Sequence, residues 1–202
     1  MPSSIGSSSP IRPVLVVTGP SGAGKGTLIQ ALLERVPDLE VAISATTRLR
    51  RPGEEDGREY WFLTDAEFAR RVDRGEFLEH VTYVSGKRYG TLRSEIDRIV
   101  AAGHVPVLEL ETEGALNVKE HEPTATTIFI TAPIPELERR LRERASESEG
   151  EIGERIGLAR RQLEQAGLFD HVVVNDDVER ALEELEVIVH RRLALAGTMT
   201  RR

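Results

Sequence analysis

G-P-S-G-A-G-K-G-T, residues 19–27, is the stretch of sequence that decides the fold. A nucleotide-binding phosphate loop usually reads G-x-x-x-x-G-K-[ST], with the final hydroxyl placed on Mg²⁺. Here Gly26 follows Lys25, so the hydroxyl comes one residue later, at Thr27. The apolar run Val14 to Thr18 precedes the loop and predicts a buried strand, and helical spacing follows it. Strand, glycine-rich loop and helix in this order are the context in which such a loop binds phosphate.

The chemistry of this loop follows from its backbone. The amide groups and the start of the helix attract phosphate oxygens, while Lys25 adds a positive charge near the β- and γ-phosphates. We therefore assign a nucleoside triphosphate site to Gly19, Pro20, Ser21, Gly22, Ala23, Gly24, Lys25, Gly26 and Thr27. Because Gly26 removes a side-chain ligand, Mg²⁺ is expected to be held mainly through phosphates and water, near Thr27 and Glu109. The Lys-Gly-Thr variant favours a small-molecule kinase over a switch-type GTPase.

Composition narrows the class of protein. The chain has 202 residues, enough for one α/β domain, with 39% hydrophobic and 30% charged residues, a net charge of −7 and no cysteine. These values predict a soluble, cytoplasmic protein without disulfides or membrane attachment. The negative charge disfavours general nucleic-acid binding, so a bound anion must be held by local clusters of basic residues.

Hydrophobic patterning predicts alternating strands and helices, which is typical of a parallel sheet covered by helices on both faces, of the P-loop NTPase type. Strands are predicted near 14–18, 41–45, 81–84, 104–110, 126–130 and 171–174, and helices near 27–35, 64–75, 91–103, 135–145, 150–166 and 178–196. Two polar segments interrupt the pattern and predict inserted lobes. The expected division is a disordered tail at 1–12, a core of 13–40, 92–135 and 167–202, and lobes at 41–91 and 136–166.

A second group of residues suits phosphate as well. Within S-A-T-T-R-L-R-R-P-G-E-E-D-G-R-E-Y, residues 44–60, Arg48, Arg51 and Tyr60 make a clamp of forked donors and a phenol hydroxyl. Glu109 and Glu111 lie two residues apart at the end of a predicted strand, where open α/β sheets bind ligands. One carboxylate would hold water around Mg²⁺, and the other would bind a nucleobase. The alternative is that both carboxylates are solvated at the end of the strand.

Five motifs together resemble those of guanylate kinases, which convert GMP to GDP with ATP. They are the loop, the S-x-T-T-R-x-x-R-P-G-E segment, Y-G-T at 89–91, the arginine-rich helix around Arg140 and V-V-N-D-D at 173–177. The resemblance runs from about residue 13 to residue 190. It implies an ATP:GMP phosphotransferase with ATP and GMP as substrates and Mg²⁺ as cofactor.

The resemblance also implies roles for individual residues. The GMP phosphate would be held by Ser44, Arg48, Arg51, Tyr60 and Tyr89, and the guanine by Glu79, Thr91 and Glu111. Lys25, Arg48, Arg140, Arg144 and Arg155 would be catalytic, and Asn175 would lie near the ATP base. The lobe at 41–91 would bind GMP, and the lobe at 136–166 would be an ATP lid. A carboxylate suits guanine because it accepts from the N1–H and N2–H₂ donors on one edge, which adenine lacks.

The sequence departs from the common pattern at several positions. Arg88 stands before Tyr89 where the family often has a second tyrosine, Glu111 stands where aspartate is common, and Glu113 where glutamine is common. A kinase of another phosphate acceptor and a non-catalytic guanylate-kinase-like interaction domain remain as alternatives. Such interaction domains usually lose the loop or its lysine, which this chain keeps. Nothing in the sequence indicates an oligomeric state.

Overall fold

The computed structural model describes residues 14–83, 85–143 and 149–200. The predicted tail at 1–12 and the predicted catalytic Arg144 lie outside these residues. The strands are β1 (Val14–Thr18), β2 (Leu39–Val41), β3 (Ala45–Thr46), β4 (Trp61–Phe62), β5 (Phe77–Thr82), β6 (Arg88–Leu92), β7 (Val105–Glu109), β8 (Ala125–Thr131) and β9 (His171–Val174). The helices are α1 (Lys25–Arg35), α2 (Asp65–Asp73), α3 (Arg93–Ala101), α4 (Thr112–His121), α5 (Ile134–Glu143), α6 (Glu149–Glu164) and α7 (Val178–Thr200).

A five-stranded parallel sheet in the order β2-β7-β1-β8-β9 forms the centre of the molecule. Every residue of β1 is buried, and its side chains alternate between two cores. Leu15 and Val17 pack with α1 and α7 on one face, whereas Val14 and Val16 pack with α3 and α4 on the other. Burying each such side chain stabilises the fold by about 1.5–3 kcal/mol relative to exposure. The predicted fold class, a P-loop NTPase-type sheet covered on both faces, is confirmed.

A second sheet, in the order β4-β3-β6-β5, is built from the segment predicted as the first lobe. Strand β6 pairs antiparallel with both β3 and β5. The sheet and α2 share a small core in which the rings of Phe68 and Phe77 stack with centroids 4.4 Å apart. This sheet therefore has apolar packing of its own beside the central sheet.

The helix ends follow the predicted signals. The Thr64 side chain accepts a hydrogen bond from the Glu67 N–H at 3.1 Å and caps α2, as the capping-box pattern predicts. After α3, Gly103 has a φ of 88° and its N–H bonds the Val100 carbonyl at 3.0 Å. Glycine takes this left-handed conformation without the clash of a Cβ, and the helix ends there.

Three local predictions were wrong. The strand predicted at 41–45 is two short strands in different sheets, because the chain leaves the central sheet after Val41 and enters the second at Ala45. The helix predicted from Thr91 begins at Arg93, since Thr91 pairs with Glu79 in the second sheet. The strand predicted at 81–84 runs from Phe77 to Thr82.

Helix α4 was not predicted at all. It begins directly after the strand-end carboxylates and contains Gly114 within its first turn. Glycine in a helix costs about 1 kcal/mol relative to alanine, which weakens the local signal. The burial of Ala115 and Val118 against the central sheet stabilises the helix instead.

Candidate functional site

The phosphate loop joins β1 to α1 in a conformation that requires glycine. Gly19 has a φ of 140°, and a Cβ there would lie 1.9 Å from the Ile130 carbonyl oxygen. Gly24 has a φ of 86° and occupies the N-cap position of α1, where the described residues supply no side-chain cap. The first N–H groups of a helix have no partner within it, so those of α1 are directed at the space above the loop.

Lys25, the first residue of α1, folds back over the loop. Its Nζ donates to the Gly19 carbonyl at 2.7 Å and to the Pro20 carbonyl at 3.2 Å. The ammonium group is thereby held above the same amide groups that would bind phosphate oxygens.

Arg140 places a second positive charge beside the loop, from α5. Its Nε donates to Glu136 at 2.7 Å, and its two Nη atoms donate to the carbonyls of Gly22 at 3.3 Å and Asn175 at 3.1 Å. Asn175 is only 2% exposed, and its Nδ2 donates to the Ala23 carbonyl at 2.7 Å. Asn175 thus supports the loop and Arg140 from beneath.

A cavity of about 580 Å³ extends from the loop to the second sheet. This volume is within the range typical of small-molecule sites. Seven residues predicted for the site line it together: Lys25, Ser44, Tyr60, Glu79, Tyr89, Glu109 and Glu111. Lys25 of the phosphate loop therefore shares one space with several of the predicted acceptor residues, whereas Arg48, Arg51 and Thr91 are not in the lining.

Glu79 lines this cavity and is paired with Thr91, which is buried and is not among the lining residues. They are cross-strand partners on β5 and β6, and the Thr91 hydroxyl donates to Glu79 Oε1 at 2.9 Å. Glu79 is 6% exposed, and this burial raises the pKa of its carboxyl above the usual range. A Cβ on Gly114 would lie 2.9 Å from Glu79 Oε2, so a larger residue at that position would displace the end of the Glu79 side chain.

The predicted phosphate clamp is held in shape by a carboxylate. Both Nη atoms of Arg48 donate to Glu54, at 3.0 and 2.8 Å, and the backbone N–H of Arg51 donates to Glu54 at 2.8 Å. The hydrogen bonds from Arg48, and after them the one from the Arg51 N–H, lower the pKa of Glu54 to about 2. The Arg48 guanidinium lies over the rings of Tyr60 and Phe62, 5.3 and 5.6 Å from their centroids. The Arg51 side chain is exposed.

Comparison with known proteins identifies the family. The guanylate kinase family model matches residues 11–192. The chain belongs to the guanylate kinase family. It is 46% identical to a guanylate kinase of Rubrobacter xylanophilus over 90% of this chain and 95% of that protein, and 46% identical to one of a Synechocystis species over 87% and 92%. A crystal structure of guanylate kinase from Anaplasma phagocytophilum matches with a TM-score of 0.69 and 27% identity, covering 91% of this chain and 87% of that one.

The resemblance found in the sequence motifs is therefore confirmed. Arg155, which was predicted to be a lid residue, is exposed on α6 and is not among the residues that line the cavity. None of the helices in the described ranges is long and apolar enough to cross a membrane.

Tyr83 was missed by the sequence patterns. It lies just beyond β5 and lines the cavity with Glu79 and Val81, the residues four and two positions before it. Its ring meets that of Tyr89 edge to face, with centroids 5.0 Å apart. Burial, and then the charge of Glu111, raise the pKa of the Tyr83 hydroxyl. The alternation of side chains along an extended chain, counted from Glu79, is the signal that could have identified it.

The loop and the end of β7 provide the oxygen atoms that would suit Mg²⁺. Glu109 pairs with Val17 of β1 and lines the cavity that also contains Lys25. Thr27 is exposed in the first turn of α1. The described residues contain no group of three His, Asp or Glu that could hold a metal by themselves. One carboxylate and one hydroxyl fit a cation held largely by phosphate oxygens and water, which Mg²⁺ accepts readily.

Proposed function

We propose that the protein transfers the γ-phosphoryl group of ATP to GMP, and to dGMP, giving ADP and GDP or dGDP. The observation that carries this proposal is the shared cavity, which joins Lys25 of the phosphate loop to the buried Glu79 of the second sheet. Family membership supports the same reaction. The cytoplasmic location remains a prediction from the sequence.

In this proposal the second sheet binds the acceptor. Glu79, Thr91 and Glu111 take the guanine, because carboxylates accept from N1–H and N2–H₂ on one edge of that base. The raised pKa of Glu79 reflects the burial of a carboxyl, and donors on guanine would compensate the ionised form. At the other end of the nucleotide, Ser44, Arg48, Arg51, Tyr60 and Tyr89 bind the phosphate.

The phosphate loop binds the donor, with Lys25 and Arg140 on its phosphates and Arg144 and Arg155 brought in from the lid. Asn175 supports the loop beneath the nucleotide. The second pKa of a phosphate monoester is near 6, so the attacking oxygen is already ionised at neutral pH and needs no general base. Rate enhancement then comes from aligning two polyanions and neutralising charge on the transferring group. Mg²⁺, bound with ATP near Thr27 and Glu109, supplies part of that neutralisation.

The two lobes have a further role in this proposal. Residues 41–91 close on GMP and residues 136–166 close on ATP, which keeps water away from the γ-phosphate. Small-angle scattering should show a more compact particle when both nucleotides are added than when neither is present. Identical curves would contradict the closure.

A coupled assay of ADP release tests the reaction. The purified protein is given ATP and Mg²⁺ with GMP, dGMP, AMP, dTMP or ribose 5-phosphate as acceptor. We expect turnover with GMP and dGMP and little with the other three. Faster turnover with another acceptor would favour a kinase of that compound, and no turnover with any acceptor would favour an interaction domain.

A further inference from the structure

The chain passes between its two sheets at a short connection. It leaves the central sheet after Val41, crosses at residues 42–44, and enters β3 at Ala45. It returns where β6 runs into α3. Ala42 and Ser44 of the outgoing connection both line the cavity, so the path of these residues shapes the site directly.

The ends of this connection are tied to different sheets. The Ala42 N–H donates to the Val107 carbonyl of the central sheet at 2.9 Å. The Ser44 carbonyl accepts from the Trp61 N–H of the second sheet, also at 2.9 Å. The residue between them, Ile43, belongs to neither sheet by these bonds.

The middle residue is held by a buried carboxylate. The Ile43 N–H donates to Glu95 Oε1 at 3.1 Å. Glu95 lies in the first turn of α3 and is only 3% exposed, although it is a charged residue. It therefore joins the outgoing connection to the helix that begins the return connection.

The charge of Glu95 is balanced by neighbours on the central-sheet side. Arg98 donates to Glu95 from Nε at 3.2 Å and from Nη2 at 2.8 Å, and it also donates to Glu40 on β2 at 2.6 Å. His104 contacts the second oxygen of Glu40 at 2.8 Å. A buried charge persists only when it is paired and hydrogen-bonded, and here Arg98 of the same helix supplies that pairing directly.

We propose that Glu95 is a positioning residue that fixes the acceptor sheet relative to the phosphate loop by holding the Ile43 N–H. The proposal rests on the proposed function, since it concerns the placement of the GMP phosphate against the ATP phosphate. Ser44, next to Ile43, is assigned to that phosphate. Displacements of about 1 Å at reacting groups can cost 100-fold in rate.

The test compares Glu95→Ala, Glu95→Asp and Glu95→Gln with the wild type. Alanine removes the acceptor and aspartate shortens its reach by one methylene, whereas glutamine keeps an oxygen in place. Alanine and aspartate should lower kcat/KM for GMP by about 10- to 100-fold, and glutamine should restore it to within about threefold of the wild type. The dissociation constant of ATP, measured by calorimetry, should stay within about twofold in all three. Glu40→Gln is the matched control, because it weakens the Arg98 and His104 pairs but leaves the Ile43 bond, and it should keep wild-type kcat/KM.

A second measurement does not depend on activity. Hydrogen exchange at the Ile43 amide, followed by NMR, should be at least about tenfold faster in Glu95→Asp than in the wild type or Glu95→Gln. Unchanged exchange, unchanged kcat/KM for GMP in Glu95→Asp, or an equal loss of ATP affinity would each overturn the proposal. If the wild type fails to phosphorylate GMP, the proposed function fails, while the exchange measurement still decides whether Glu95 holds the connection.

Discussion

Replacing Glu79 by glutamine should separate recognition of guanine from stability of the fold. Glutamine has nearly the same shape and can still accept the Thr91 hydroxyl bond, which is 2.9 Å long in the structure. Its amide nitrogen would then face the base with a donor where a carboxylate oxygen was an acceptor. A hydrogen bond to a charged group is worth about 1.5–3 kcal/mol. The variant loses one such bond and places its amide donor against an N–H donor of guanine. We therefore expect kcat/KM for GMP to fall by about 10²–10³.

The effect on stability should have the opposite sign. Burial raises the pKa of Glu79 in the folded protein, so its ionised form destabilises the fold without a nucleotide. A raised carboxyl pKa contributes stability that is present below the unfolded pKa of about 4.3 and is lost as pH rises through the folded value. Glutamine has no such loss. The variant should therefore gain stability relative to the wild type as pH rises from 4.5 to 8.

Two assays measure these effects. Initial rates with GMP and with inosine monophosphate, which lacks the 2-amino group, should show strong discrimination in the wild type and little in Glu79→Gln. Thermal unfolding of both proteins from pH 4.5 to 8 gives the stability difference. Glu111→Gln is the control, because that carboxylate is exposed on the same cavity and should not show the pH-dependent gain. A variant that keeps GMP turnover within threefold, or is less stable than the wild type at pH 8, would refute the reasoning.

Substitutions at four further residues test other parts of the site. Lys25→Ala and Arg140→Ala should each lower kcat by about 10³ or more, because each removes a positive charge beside the transferring phosphoryl group. Circular dichroism should be unchanged, and near-normal turnover in both variants would contradict the assignment. Gly114→Ala should raise KM for GMP at least about tenfold, since its Cβ would lie 2.9 Å from Glu79 Oε2 and overpacking costs about 1–3 kcal/mol; KM for ATP serves as the control. Tyr83→Ala should raise KM for GMP by about three- to tenfold, on the order of one aromatic contact, and Tyr83→Phe should stay near the wild type; equal effects of the two would mean that the ring is not what matters.

Most of the central sheet could be predicted because its signals are local. The residues at 14–18, 105–108 and 127–130 are buried, and the apolar character of these runs is visible without any knowledge of distant residues. The second sheet could not be predicted in the same way. Strands β3 and β4 contain only two residues each, and Thr91 is extended because it pairs with Glu79, twelve positions earlier. Pairing across the chain overrides the local helical pattern there.

The same distinction between local signals and long-range packing applies to the candidate site. The loop residues have fixed spacing, so Lys25 and its glycines could be assigned from the order of residues alone. The roles of Gly114, Tyr83 and Glu95 depend on packing between different elements of the fold, which no local sequence pattern shows. The side chain of Arg51 is exposed, and its phosphate contact stays a prediction from the motif.

In the proposed function, the pairing of Arg48 with Glu54 means that the guanidinium assigned to the GMP phosphate already has an anionic partner before the substrate binds. A guanidinium without a partner in solvent would lose its orientation, whereas the Glu54 carboxylate keeps the Arg48 guanidinium in one orientation. On that proposal, binding of GMP exchanges the Glu54 carboxylate for the substrate phosphate at Arg48. On the same proposal a dianionic phosphate would compete with the Glu54 carboxylate and a neutral nucleoside would not, so the charge of an acceptor would be selected before its base is recognised.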